Sequence, residues 1–513
     1  MILKNELNTM LIQNFVRRLP LASLALAIVI TGSLVLPESL FAQGLKKQNE
    51  YYTIKKIPVP ADTLLEVGAM TIMPDGRLAV SSRRGDIYMF ADPLRKDIDN
   101  IESKLFAQGL HEVLGMAYRD NSLYATQRGE ISRLIDANRD GFAERIETVT
   151  DEWGIDGDYH EYAFGSQFDE QGNMWVALCL TGSFTSENKY RGWCVRVSPD
   201  GTVTPTCSGL RSPGGIGFNT DGACFYTDNQ GPWNGTCTLK WLKEGSFQGN
   251  PVGLDWFSEP KVQATMGEQP EKPKSGSRIM TEAERIPQLE PPAIMFPYKK
   301  LGQSASGILC DTSDGKFGPF QNQMFVGDQT FSWVMRVDLQ KVNGHYQGAA
   351  FPFCEGFDCG TLAMAQGENG AMFVGGTNRG WGSRGTSDYS LERLEWTGKV
   401  PFEVLTMKVN PDGFDLTFTK PVDPQAAGDV TSYRLPTYTY IYQKSYGSPE
   451  VDATTATIKE AIVSEDGRSV RLVVEGLQIG HVHELHMDGI RSKEDQPLWH
   501  PVAYYTLNYL PSE

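Results

Sequence analysis

A short kernel that recurs six times constrains this chain more than any other feature of its sequence. Each copy is an apolar strand, a turn containing Gly or Asn, a second apolar strand and a polar loop. It appears as MTIMPDGRLAVSSRRG from Met70, LGMAYRDNSLYATQRG from Leu114, YAFGSQFDEQGNMWVAL from Tyr162 and GIGFNTDGACFYTDNQG from Gly215. A looser copy has ASGIL at Ala305 and QMFVGDQ at Gln323, and the last is LAMAQGENGAMFVGG from Leu362. Most spacings are about 45 to 50 residues, the period of a four-stranded propeller blade. The alternation within each strand fits half-buried sheet. A single blade cannot bury both its faces, so the copies must stack radially. The expected class is therefore all-β, with a six-bladed β-propeller over residues 52–400. An open β-solenoid or a pair of sandwiches is the alternative, and it explains the even spacing less well.

The widest gap between copies holds residues 257–297, rich in Pro, Glu and Lys, which read as a surface insertion with a short helix at Thr281 to Arg285. After about residue 402 the kernel disappears. Phe414-Asp-Leu-Thr-Phe-Thr, Ser469-Val-Arg-Leu-Val-Val and His483-Glu-Leu-His-Met alternate in a different style, and residues 402–513 read as an immunoglobulin-like β-sandwich. At the other end, Lys4, Arg17 and Arg18 precede a mostly apolar run from Leu19 to Leu36, with Ala42 as a cleavage residue. Residues 1–42 are thus expected to be a signal peptide, with a single membrane anchor as the alternative. The expected location is periplasmic or extracellular, and no later stretch is apolar enough to span a bilayer. The eight Cys, all between 179 and 359, then read either as disulfides or as buried thiols. A formal charge of −16 argues against a nucleic-acid partner.

Propeller geometry gathers particular residues at one mouth of the central channel, because the loop leading into the first strand of a blade and the loop leaving the second lie at the same end. Leading loops bring His111 and Glu112, then Tyr159, His160 and Glu161, then Arg211 and Ser212. Leaving loops bring Arg83 and Arg84, Gln127 and Arg128, Asp228 to Gln230, Asp328 and Gln329, and Asn378 and Arg379. A His beside Arg in a polar funnel suits a general base with anion-stabilising partners; an ordinary polar binding face is the bland reading. Separately, Asp136, Asn138, Asp140 and Gly141 with Glu147 match the D-x-N-x-D-G-x5-E calcium loop, here between strands, against a solvated acidic hairpin. His481, His483 and His486 do not read as one metal site, since strand period puts 486 on the opposite face from 481 and 483.

Arg211-Ser-Pro-Gly-Gly-Ile-Gly-Phe, Gln230-Gly231-Pro232 and Lys243-Glu-Gly-Ser-Phe-Gln-Gly-Asn-Pro251 resemble the soluble quinoprotein glucose/sorbosone dehydrogenases, over roughly residues 65–400. The Tyr159-His-Glu-Tyr and His111-Glu-Val-Leu-Gly stretches look more like a membrane-bound-dehydrogenase-like branch of exported bacterial proteins. The resemblance implies pyrroloquinoline quinone (PQQ) and calcium at the channel mouth and base-assisted oxidation of a sugar. It implies His160 as catalytic base and Arg211 as the arginine that stabilises the reduced quinone. Gln230 would contact the quinone, the carbonyls of Gly231 and Pro232 would hold calcium, and His111, Arg128 and Arg379 would complete the cofactor site. Two departures stand out: the blade-five lysine is replaced near Thr330, and Cys359-Gly-Thr-Leu lacks the arginines usual at blade six, for which Arg379 or Arg384 would compensate. Two functions follow. One is a PQQ-dependent sugar oxidoreductase that passes electrons to an external acceptor. The other is a non-catalytic propeller that binds an acidic glycan or a protein partner at the mouth.

Overall fold

The computed structural model describes residues 47–512, and the expected signal peptide, residues 1–42, lies outside the described residues. The kernel strands form the inner halves of the blades. In the first blade the order is Val67–Ile72, Leu78–Ser82, Ile87–Phe90 and Ser103–Ala107, each antiparallel to the next. The same meander repeats over 115–150, 163–208 and 213–296. The innermost strands of successive blades touch around a ring, and the last kernel strand, Thr361–Gln366, returns to Val67–Ile72. Close approach of blades explains the glycine in the kernel. A Cβ on Gly115 would lie 2.5 Å from the Cα of Gly165, and one on Gly165 would lie 2.0 Å from Thr126 Oγ1. The ring closes with Tyr52–Lys56, which pairs with Tyr389–Trp396 as the fourth strand of the last blade.

Five blades are free-standing four-stranded sheets, where six were expected. The remaining set, 305–355, begins an eleven-stranded sheet. Its outer strand, His345–Glu355, is long enough to offer an open edge, and Gly348 to Ala350 pair there with Thr506 to Tyr504 of the C-terminal domain. That domain is a β-sandwich. Val404–Asn410, Gly413–Phe418 and Ser469–Glu475 make one layer; Leu435–Tyr440, His481–His486 and Val502–Leu507 make the other. The strand Glu450–Val463 runs through both, with a register shift at Ile458 to Glu460. Met407, Phe414 and Leu472 meet Leu435, Leu485 and Tyr505 between the layers. Arg336, fully buried, rivets the two domains: it donates to the carbonyls of Val404 (2.7 Å) and Leu405 (3.0 Å) between the rings of Phe320 and Phe351.

The insertion carries two helices, Pro260–Met266 and Ile279–Arg285, and Ile294–Phe296 within it is the outer strand of blade four. The eight cysteines are all unpaired and seven are buried; burial pushes the thiols of Cys179, Cys207 and Cys237 up to about 12, so they stay protonated. Among the described residues no helix is long and apolar enough to cross a membrane.

The closing seam holds one titratable group with a consequence for stability. Glu392, opposite Lys56, is buried and accepts from Ser390 Oγ (2.8 Å) and the Asp358 N–H (3.1 Å). Burial raises its carboxyl from 4.5 to about 7. The unfolded chain therefore gives up this proton first, and stability present below pH 4.5 is lost as pH rises towards 7. Glu392→Gln is expected to stabilise by roughly 3 kcal/mol at pH 8 and by almost nothing at about pH 4, as read by urea unfolding at both pH values.

Candidate functional site

The kernel strands deliver their leaving loops to one end of the channel, where a cavity of about 380 Å³ opens. Leu114, Phe164, Gly214 and Leu362 form its floor and also line the channel below. His160, Arg211, Gln230 and Arg379 line it, as do Arg83, Tyr162 and Gln329.

Arg211 is set by the segment that follows it. Its Nη1 donates to the carbonyls of Asn229 (3.3 Å) and Gln230 (2.9 Å). Among the described residues Nε has no partner. A Cβ on Gly231 would lie 2.0 Å from its Cζ, so only glycine allows the guanidinium to lie this close. Beneath it, the fully buried Asp228 accepts the Ser212 N–H (2.9 Å), the Tyr226 hydroxyl (3.2 Å) and Lys240 Nζ (3.2 Å). Lys240 also donates to the Gln248 carbonyl (2.9 Å). Sequence reading put Asp228 at the mouth and gave no sign of this buried ion pair.

His160 is half-buried, and its backbone N–H donates to Asp158 Oδ1 (2.8 Å). Its ring makes no hydrogen bond within the described residues and sits among the rings of Tyr159, Trp381 and Tyr162 at 4.9, 5.9 and 6.1 Å. Burial lowers its pKa below 6.5; Asp158 opposes this, and Arg211 and Arg128 add to it. The imidazole is therefore neutral at pH 7.

Opposite lies a network of arginines and carboxylates. Arg83 Nε donates to Glu112 Oε1 (2.7 Å) and its Nη2 to the Tyr162 hydroxyl (3.1 Å). Arg84 makes two bonds to Glu66, at 2.8 and 3.0 Å. Arg379 sits 3.5 Å from Glu66 and 3.8 Å from Glu112. Glu112 adopts φ +52°, which turns its carboxylate inward and leaves His111 exposed, outside the cavity lining. Arg128 also lies outside the lining; it donates to the carbonyls of Asp158 and Glu161 and so holds the loop that carries His160. Arg384 stacks on Phe331 and Trp333 (4.3 and 5.3 Å) and does not line the cavity, which leaves Arg379 as the blade-six cation there.

The Gln230-Gly231-Pro232 stretch is engaged by the sandwich domain. The Gly231 carbonyl accepts from the N–H groups of Asn234 and Gly447, each at 3.1 Å. Pro232 bridges to Tyr446, and the Gln230 side chain donates to the Gly235 carbonyl (3.0 Å). Both lone pairs of the Gly231 oxygen are thus used, and it does not fit a calcium ligand. Sequence reading missed Tyr446, which lines the cavity 5.3 Å from the Arg211 guanidinium, and also Phe184 and Trp381. Nothing in the kernel pattern could announce a residue brought in from another domain.

The acidic loop stands apart. Asp136, Asp140 and Glu144 lie within 4.8 Å of one another. Asp136 accepts the N–H groups of Asp140 and Gly141, and Asn138 Oδ1 accepts that of Asp140. Glu147 is on the strand Arg145–Thr150, opposite Arg133 and paired with Arg145 (2.9 Å), so Glu144 takes the position expected of it. The three sandwich histidines have separate partners: His481 contacts Thr437 (2.8 Å), His483 is buried against Phe414, and His486 contacts Glu484 (2.8 Å).

Solved structures similar to this chain include a PQQ-bound aldose sugar dehydrogenase from Streptomyces coelicolor, 17% identical over 67% of this chain and 98% of that one, with a TM-score of 0.47. The PQQ domain of a pyranose dehydrogenase from Coprinopsis cinerea is 13% identical over 67% and 95%, with a TM-score of 0.48. An apo aldose sugar dehydrogenase from Escherichia coli is 14% identical over 67% and 99%, with a TM-score of 0.44. No curated protein matches the sequence. A family described as a domain of unknown function, DUF7133, matches residues 80–352, more than half of the chain and most of the propeller. The chain belongs to the DUF7133 family.

Proposed function

We propose that this protein is an exported, sugar-directed and quinone-dependent oxidoreductase in which His160 serves as the base. One observation carries the reading: a half-buried imidazole with no side-chain hydrogen bond among the described residues faces a cavity walled by Arg211 and Arg379, and burial favours its neutral form. The donor set suits a planar polycarboxylate such as PQQ. Arg211 has an unpartnered Nε, Arg379 is only loosely paired, and Tyr162 and Trp381 offer aromatic faces. When bound, such a quinone would supply the two-electron acceptor that no side chain here can supply. The protein's own part is to hold a sugar hydroxyl against the free imidazole, accept its proton there, and balance negative charge with Arg211 and Arg379. The acceptor that reoxidises the site would lie outside the cytoplasm. The Gly231 carbonyl is already engaged by two N–H groups and leaves no lone pair for calcium.

That same carbonyl favours a second reading, a mouth that binds an acidic glycan or a protein partner without turnover. Equilibrium titration of the purified chain with PQQ, with and without calcium, followed by dye reduction across a sugar panel, separates the two. Binding with sugar-dependent reduction is expected. Absence of both would leave the propeller standing and remove the oxidoreductase.

A further inference from the structure

We infer that the mouth takes the end of an acidic oligosaccharide, with Trp381 and the sandwich residue Tyr446 as stacking platforms for its sugar rings. This rests on the reading of the mouth as a sugar site, and not on turnover.

The first observation is where exposed aromatics occur. Among the described residues, only four Phe, Tyr or Trp side chains are exposed: Tyr159, Phe184, Trp381 and Tyr446, at 38, 57, 56 and 62%. All four surround this mouth. Phe184, Trp381 and Tyr446 line it, and Tyr159 touches His160 and the Gly380 turn beside Trp381. They come from four separate loops, in two blades and the sandwich, so no local sequence bias explains their convergence. Large aromatic faces left in water mark a partner that covers them, and the C–H face of a pyranose is such a partner.

The second observation is charge. On a chain of net −16, Arg83, Arg84, Arg128 and Arg379 gather around Glu66 and Glu112, and Arg211 lines the same cavity. Cations outnumber carboxylates in that network, and Arg211 and Arg379 turn towards the cavity. Where no quinone occupies the cavity, a sugar carboxylate fits those two guanidinium groups.

The third observation is size. A cavity of about 380 Å³ is at the small end for ligand sites. It admits a chain end, and the following units must lie on the rim, where the aromatics are. The loop that carries Tyr446 is fixed for this contact. Trp233 N–H donates to the Gln443 carbonyl (2.7 Å), and Gly447 N–H to that of Gly231. The sandwich therefore supplies one wall of the binding site.

The test is calorimetric binding to the full chain of tetragalacturonate, galacturonate and uncharged maltotetraose, with Trp381→Ala and Tyr446→Ala variants. Tetragalacturonate is expected to bind at least about tenfold more tightly than galacturonate, and each platform variant to lose about tenfold. Added salt should weaken binding. Unfolding temperatures of the exposed-residue variants verify that they remain folded. Equal affinity for tetramer and monomer, or an unchanged affinity in both platform variants, overturns the oligosaccharide inference and leaves the sugar site standing. Equal affinity for maltotetraose overturns its acidic character. Binding of none of the three removes the sugar site itself, and the inference with it.

Discussion

His160→Ala is expected to lower sugar-dependent turnover by roughly 10²–10⁴-fold, the contribution of a positioned general base, while the unfolding temperature barely changes. The stability half follows from the contacts. The ring makes no hydrogen bond among the described residues, and the backbone N–H bond to Asp158 survives the substitution. What is lost is partial stacking against Tyr159, Tyr162 and Trp381. The pH profile adds a signature that a structural role would not produce. A base must be unprotonated, so the rate falls as pH drops through its pKa, and burial with Arg211 and Arg128 sets that limb below 6.5. Asp158 pulls the other way, so Asp158→Asn should move the limb to still lower pH. Turnover in His160→Ala equal to that of the parent would take His160 out of the reaction.

The architecture was legible because its signal is periodic. Six kernels at a near-constant spacing leave few ways to bury both faces of each blade. The fused blade was not legible, because a strand edge carries no mark of what will pair with it. Only the length of His345–Glu355 could have hinted that it reaches beyond its blade. The sandwich was legible as alternating strands, and its contribution to the mouth was not, because the Tyr446 loop is distant in sequence from every residue it meets.

Within the site, topology served better than motif. The rule that leading and leaving loops share one end brought His160, Arg211, Gln230 and Arg379 to one cavity. It erred by one residue at the second blade, where Glu112 at φ +52° faces inward in place of His111. It also brought Arg128 to the right end with a different task, that of holding the loop before Tyr162. The acidic loop shows the limit of pattern matching. A spacing learned from loops that enter a helix fails when residue 145 already begins a strand, and Glu147 then answers to Arg133 and Arg145.

The largest stability effect is expected beneath Arg211. Asp228→Ala should cost about 3–5 kcal/mol, the penalty for stranding one partner of a buried ion pair. Lys240 is fully buried, burial lowers its pKa, and Asp228 is the main influence that raises it again. Without that carboxylate the ammonium keeps only the Gln248 carbonyl, and the Ser212 N–H and Tyr226 hydroxyl lose their shared acceptor. The cure should be as specific as the damage. Adding Lys240→Met removes the stranded charge and should recover much of the loss, since an apolar side chain can replace a buried pair at little cost. Urea unfolding of the single and double variants measures both. Recovery of stability should not bring recovery of anion binding, because Ser212 adjoins Arg211 and its N–H bond to Asp228 fixes the start of that strand. A double variant that is stable yet binds acidic sugar weakly would separate the two tasks of Asp228, neutralising Lys240 and aiming Arg211. A double variant that binds as the parent does would confine Asp228 to the first.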